Sequence, residues 1–136
     1  MKLLMLYTDR FHYRSAVKTL DHVPDCSEER SVDDVVVGLI HAEAVDEANP
    51  VGIEKKLIKN LKWGARKNDT QRIVLHSFSH LAETKADSDF TQELLNRSAR
   101  RLEKAGYEVW QTPFGYFLDL DLKAPGRSTA RIFTSF

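Results

Sequence analysis

Apolar residues run in strand-length blocks near both ends of the chain and in helix-spaced stripes through its middle. Lys2–Thr8 (KLLMLYT) is an apolar block that stops at Asp9-Arg10, and His12–Val17 alternates weakly, so the two read as a hairpin. Asp21–Asp33, with Pro24 and several acids, reads as a loop. Asp34–Ala44 (DVVVGLIHAEA) is β-branched and almost continuously apolar at its start, the pattern of a central strand covered on both faces. Asn49-Pro50 then supplies a cap and a first-turn proline, and Ile53, Leu57, Ile58, Leu61 and Ala65 follow at helical spacing. A strand over Arg72–Leu75 follows Asn68-Asp69. Asp87 or Ser88 caps a second helix carrying Phe90, Leu94, Leu95, Ala99 and Leu102, which Gly106 stops. Tyr107–Thr112, Tyr116–Leu122 and Thr129–Thr134 complete the strands.

The expected order is β-β-β-α-β-α-β-β-β, without a repeat or low-complexity stretch, so residues 1–136 form one α+β domain around a single sheet. The two helices should pack on one face of a mainly antiparallel sheet, burying Val35, Val37 and Leu75. At 136 residues there is room for a proper core. A hydrophobic content of 42% with 29% charged residues is that of a soluble globular protein. No apolar run is long enough to span a bilayer and no signal-peptide layout is present, so no membrane is expected. One cysteine, Cys26, excludes an internal disulfide and points to a reducing, cytoplasmic setting.

Balanced charge, with 20 basic and 20 acidic residues, argues against nonspecific coating of nucleic acid. Charge is segregated by face, however. Lys55, Lys59, Lys62 and Arg66 share one stripe of the first helix, and Arg97, Arg100, Arg101 and Lys104 cluster on the second. Each stripe is either a solvated face or a footprint for a phosphate backbone. His76 and His80 stand four apart on a strand-to-loop path, not on one helical face, and no third ligand accompanies them, so neither metal nor other cofactor is expected. His80 is either a histidine in a polar niche or a site residue at a strand's C-terminal end. Asp119 and Asp121 share one face of a strand whose leucines cover the other, which a solvated face explains.

The blocks YTD (Tyr7–Asp9), VDEANP (Val45–Pro50), HSFSHL (His76–Leu81), LLNR (Leu94–Arg97) and TPFGY (Thr112–Tyr116) occur in an order and spacing that resemble the archaeal-type editing domain of threonyl-tRNA synthetase. The resemblance covers nearly the whole chain. It implies a D-aminoacyl-tRNA deacylase-like fold and a homodimer, for which the apolar strand Thr129–Phe136 offers an edge to cover. The implied activity is hydrolysis of L-serine mischarged on tRNA(Thr), with main-chain groups, a bound water and the terminal ribose hydroxyl performing the reaction. The implied partners are the tRNA(Thr) acceptor end and a separate or fused synthetase catalytic domain; with the basic stripes read as a phosphate footprint, Lys55, Lys59, Lys62, Arg66, Arg97 and Arg101 are the tRNA contacts. Carried over residue by residue, substrate binding falls to Phe78, Ser79, Gly115 and Tyr116, and the catalytic positions are His80, Phe117, Leu118 and Arg131. Three of these depart from the family pattern. Leu118 stands where the family has a lysine, Phe117 lacks an aromatic hydroxyl, and a gapless count puts Arg131 at a family glutamate. Either another cation such as Arg131 or Lys123 takes over, or the domain is a weakened tRNA-binding or assembly module.

Overall fold

A computed structural model describes residues Met1–Phe136. Its elements, in order, are β1 (Lys2–Lys18), β2 (Glu29–His41), a 3₁₀ turn (Ala44–Ala48), α1 (Pro50–Lys67), β3 (Arg72–Ser77), α2 (Ser88–Lys104), β4 (Glu108–Gln111), β5 (Tyr116–Lys123) and, after a second short 3₁₀ turn, β6 (Arg131–Ser135). The sheet order is β4-β3-β2-β1-β5, with β6 also on β1. β1 is antiparallel to β2, β5 and β6, whereas β2–β3 and β3–β4 are parallel, each crossover being made by a helix.

The opening hairpin expected from the sequence does not form. β1 is a single strand that runs through Asp9-Arg10, pairing with β2 from Lys2↔His41 to Arg14↔Glu29. Asp9-Arg10 lacks the glycine that a two-residue hairpin turn favours at its second central position. What the polar pair marks is a slip in alternation opposite Asp34, which lies at φ 52°. Leu3, Met5 and Tyr7 of β1 face the helices, while Phe11 and Tyr13 belong to the cluster on the other face. The same slip corrects the start of β2. Glu29–Asp33 belong to the strand rather than to a loop, because they pair with the outer half of β1 as an exposed polar ribbon in which only Val32 is buried. The sheet therefore has six strands, one fewer than expected. β2 also ends at His41, and the acidic stretch beyond it turns into the 3₁₀ segment.

The helices pack on one face as expected. Ile53, Leu57, Ile58, Leu61 and Ala65 of α1, with Leu94, Leu95, Ala99 and Leu102 of α2, bury against Leu3, Met5, Val36, Ile40, Ile73 and Leu75. Asn49 caps α1, its side chain accepting from Gly52 N–H, and Asp87 caps α2 by accepting from Asp89 N–H. The other face has its own cluster, in which Phe11 and Tyr13 pack with Val35, Val37, Leu39 and Val74. Val35, Val37 and Leu75 are all buried. No helix is long and apolar enough to cross a membrane.

Between the helices, buried Glu54 accepts from Arg97 Nε and from an Arg101 guanidinium nitrogen, both at 2.6 Å. Burial by itself would raise the Glu54 pKa, but the hydrogen bonds from Arg97 and Arg101 outweigh it and hold the carboxyl below its ordinary value.

Candidate functional site

A cavity of about 310 Å³ opens at the C-terminal end of β3. Its walls are the segment after β3 (His76–His80), the start of α2 with Lys85, Ala86, Ser88 and Thr91, the turn into β5 (Pro113–Leu118, with Leu120), and Thr19-Leu20 after β1. Backbone pairing holds these pieces together. β3 runs parallel to β2 through Ile40↔Ser77, and Phe78 N–H donates to Ile40 C=O at 2.8 Å. The loop from Ser79 to Asp87 is tied down by His41, whose Nδ1 accepts from Leu81 N–H at 2.9 Å while its Nε2 donates to Thr84 C=O at 2.7 Å. Ala86 N–H donates to Ala42 C=O. On the other side, Thr19 N–H donates to Gly115 C=O at 2.7 Å.

Gly115 lies at φ +84°, and a Cβ there would sit 2.9 Å from Val23 Cγ2. Both the left-handed backbone and the close approach require glycine. Gly115→Ala is expected to cost about 1–3 kcal/mol and to loosen the turn, measured as a lower urea midpoint with an unchanged m-value.

The expected binding residues Phe78, Ser79, Gly115 and Tyr116 all line this cavity, as do His80, Phe117 and Leu118. Their available groups differ from expectation in detail. Phe78 N–H is engaged by Ile40, so within Phe78–His80 the main-chain donors left without a protein partner are those of Ser79 and His80. The Tyr116 hydroxyl is occupied on the far side, donating to Pro24 C=O and accepting from Cys26 N–H, both at 2.8 Å. His80 and Phe117 stand at the exposed mouth with rings stacked at 5.9 Å and 25°. Phe78 completes a ladder of rings from His76 to Phe117.

Arg131 is not brought to the cavity. It is the first residue of β6 and pairs with Leu6, whereas Leu118 pairs with Ser15 on the same strand. Nine residues of β1 separate the two positions, roughly 30 Å at the rise of a strand. The Arg131 guanidinium donates to Pro125 C=O. The gapless count behind this assignment ignored how the chain turns between β5 and β6. Lys123, the other cation considered as a substitute, ends β5 opposite Arg10 and is likewise outside the cavity.

The basic stripes separate into two kinds. Lys55, Lys59, Lys62 and Arg66 form no ion pair, whereas Arg97 and Arg101 hold Glu54. Asp119 and Asp121 pair with Arg14 and Arg10 across the strands at 2.8 and 3.3 Å, on an exposed surface.

The cavity also gathers residues that the sequence did not single out as site residues. Lys85 is its one lysine or arginine, and no carboxylate lines it although the chain carries 20 acids. Thr19, Leu20, Ser88 and Thr91 reach it by chain reversals that periodicity does not encode. His76 forms part of its wall and is 5% exposed. Burial, with a smaller effect from His80, pushes the His76 pKa down to about 4, so its imidazole is neutral at physiological pH. The arrangement offers free main-chain donors, hydroxyls and exposed aromatic faces. It suits a polar, uncharged or anionic group.

A solved structure of the c-Myc DNA Unwinding Element Binding Protein superposes with a TM-score of 0.69, covering 100% of this chain and 99% of that one at 12% identity. That likeness concerns the fold alone, a mixed α+β arrangement of a six-stranded sheet and two helices. The chain is 30% identical over 135 residues to a threonine–tRNA ligase of Thermococcus kodakarensis, and 30% identical over 134 residues to that of Methanopyrus kandleri. In each case 97% of this chain is aligned, but it spans only 22% and 21% of those proteins. The profile of the archaea-specific editing domain of threonyl-tRNA synthetase matches residues 1–136, and the chain belongs to that family.

Proposed function

We propose that the cavity receives the aminoacylated end of tRNA(Thr) and hydrolyses L-serine mischarged on it. Membership of the editing-domain family supports a proofreading role. The observation that carries the finer reading is the wall of the cavity itself. It has unpartnered N–H groups at Ser79 and His80, hydroxyls from Thr19, Ser77, Ser79, Ser88 and Thr91, one lysine and no carboxylate. Phosphate and ribose meet no repulsion there, and the ester carbonyl finds main-chain donors.

With Leu118 apolar and Phe117 lacking a hydroxyl, the chemistry falls to a bound water and the neighbouring hydroxyl of the terminal ribose. Water attacks the ester carbon, the bond to the ribose oxygen breaks, and that oxygen takes up the proton the water loses. His80 and Phe117 border the terminal nucleoside, with exposed faces on which a base stacks. Lys55, Lys59, Lys62 and Arg66 extend a cationic track along α1 for the tRNA backbone; at the rise of a helix it is roughly 16 Å long. A homodimer would cover Phe133, which is 56% exposed on β6 beside Leu4. The setting is cytoplasmic, and the catalytic domain of a synthetase, fused or separate, supplies the mischarged tRNA.

Release of amino acid from seryl-tRNA(Thr) and threonyl-tRNA(Thr) tests this directly. The expected result is faster release of serine by about 10–200-fold, the range available to discrimination of one methyl group. A second reading is favoured by one specific feature, the absence of any charged side chain at Leu118. In that reading the domain binds tRNA without hydrolysing the ester. It is supported if seryl-tRNA binds with micromolar affinity but releases serine at the buffer rate.

A further inference from the structure

His76 is a nearly buried polar side chain in the cavity wall. It sits on β3 between two parallel neighbours, opposite Leu39 of β2, and its ring lies 5.9 Å from that of Phe78. Nδ1 lies 2.8 Å from the Thr112 hydroxyl, which has no other hydrogen-bond partner. Thr112 is itself 7% exposed. A nearly buried hydroxyl with one partner donates its proton there, because an unsatisfied donor is worse than a spare lone pair. The imidazole proton therefore sits on Nε2. That edge has no partner within the protein, and it is not among the sealed, unsatisfied atoms, which comprise only the Ser98 hydroxyl.

The depth of the cavity decides what this donor meets. His76, Ala86 and Thr91 are buried, whereas His80, Lys85 and Phe117 are exposed. A group tethered to tRNA enters with its free end first, so ribose and phosphate stay at the mouth and the amino-acid side chain goes deepest. Resting on the functional reading above, we propose that His76 is a specificity-determining residue that donates its Nε2–H to the hydroxyl oxygen of the bound seryl side chain, with Thr112 positioning the ring. The pocket thus selects for a hydroxyl as well as against a methyl group. A site built around a hydrogen bond disfavours the analogue that lacks the partner atom, because its own polar group is left unpaired.

The test compares seryl-tRNA(Thr) with alanyl-tRNA(Thr), which differ only in the hydroxyl. The unaltered protein should prefer the seryl ester by about 10–100-fold in kcat/KM, the effect of leaving one buried donor unpaired. His76→Phe should bring that ratio to within about threefold while alanyl-tRNA hydrolysis continues, and His76→Gln, which keeps a neutral donor, should restore part of it. Thr112→Val should lower the ratio to an intermediate value. In parallel, calorimetry with the seryl and alanyl amides of 3′-amino-3′-deoxyadenosine reads binding without hydrolysis and needs only the Gln and Val variants if the Phe variant does not fold. A parent ratio near one, or a ratio untouched in every variant, overturns the assignment of His76. Should the parent bind the seryl amide preferentially, and lose that preference in the variants, without hydrolysing either ester, His76 stands and the hydrolase reading falls. Binding of neither amide removes both.

Discussion

Replacing Arg97 and Arg101 together by alanine is expected to destabilise the domain by about 3–5 kcal/mol, roughly 10–20 °C in melting temperature. The reason lies on the other helix. Glu54 is 8% exposed, and both of its oxygens are held by these two guanidinium groups, so the double variant leaves a buried carboxylate with neither donor. Either single variant should lose much less than half of the double, because one charge-assisted bond remains. The exposed Arg97–Glu93 pair adds little. A triple change, Glu54→Leu with Arg97→Met and Arg101→Leu, should recover most of the stability, as apolar replacements of buried ion pairs do. The pH dependence has a fixed sign. The folded Glu54 pKa is depressed, so the contribution is complete above the ordinary Glu value of about 4.3 and is lost as the pH falls through the lower folded value. Thermal melts between pH 3 and 7 would show the parent losing more stability on acidification than the triple variant. The triple variant also separates structure from recognition: if it keeps full tRNA affinity, Arg97 and Arg101 brace the helices rather than grip RNA.

The second large effect is a gain. Leu118→Lys should raise the rate of serine release by about 10²–10³-fold, the usual value of one well-placed electrostatic or proton-transfer group. Leu118 lines the cavity and packs partly on the second core cluster, so a lysine stem can retain that packing and carry its ammonium into the cavity. Leu118→Met, which adds length without charge, should leave the rate unchanged. Adding Arg131→Glu should contribute nothing further within one chain, because Arg131 reaches Pro125 and not the cavity. Single-turnover kinetics on seryl-tRNA(Thr) measures both variants. A parent and a lysine variant that both bind without release would leave the domain as a tRNA-binding module.

What could be read in the sequence was whatever lies within one element. The helical stripe from Ile53 to Ala65 and the β-branched run from Val35 to Val37 correspond to buried faces, and Asp87 and Gly106 mark the ends of α2. What could not be read depends on pairing. The polar run Glu29–Asp33 looks like loop until β1 is laid beside it, and Asp9-Arg10 looks like a turn until Asp34 absorbs the irregularity. The site divides in the same way. The motif blocks contain Phe78–His80 and Gly115–Tyr116, which line the cavity, since each is contiguous. Lys85 and Thr19 are found only when the fold closes, and Arg131 is lost then because counting along the chain does not measure distance across a sheet. His76 was weighed only as a metal ligand, although its partner Thr112 lies 36 residues away.

The unbroken β1 also has a temporal consequence. Its two halves find their outer partners in β5 and β6, with Lys2 facing Ser135 and Lys18 facing Tyr116. Synthesis proceeds at about 5–20 residues per second, so the first strand waits roughly 5–25 seconds before those partners leave the ribosome. During that interval only β2 can pair with it, along one edge. Closure of the sheet is then dominated by contacts between distant residues, which places folding toward the slow, millisecond-to-second end of the range for small domains. The strand that organises the finished sheet is therefore the one exposed longest during its making.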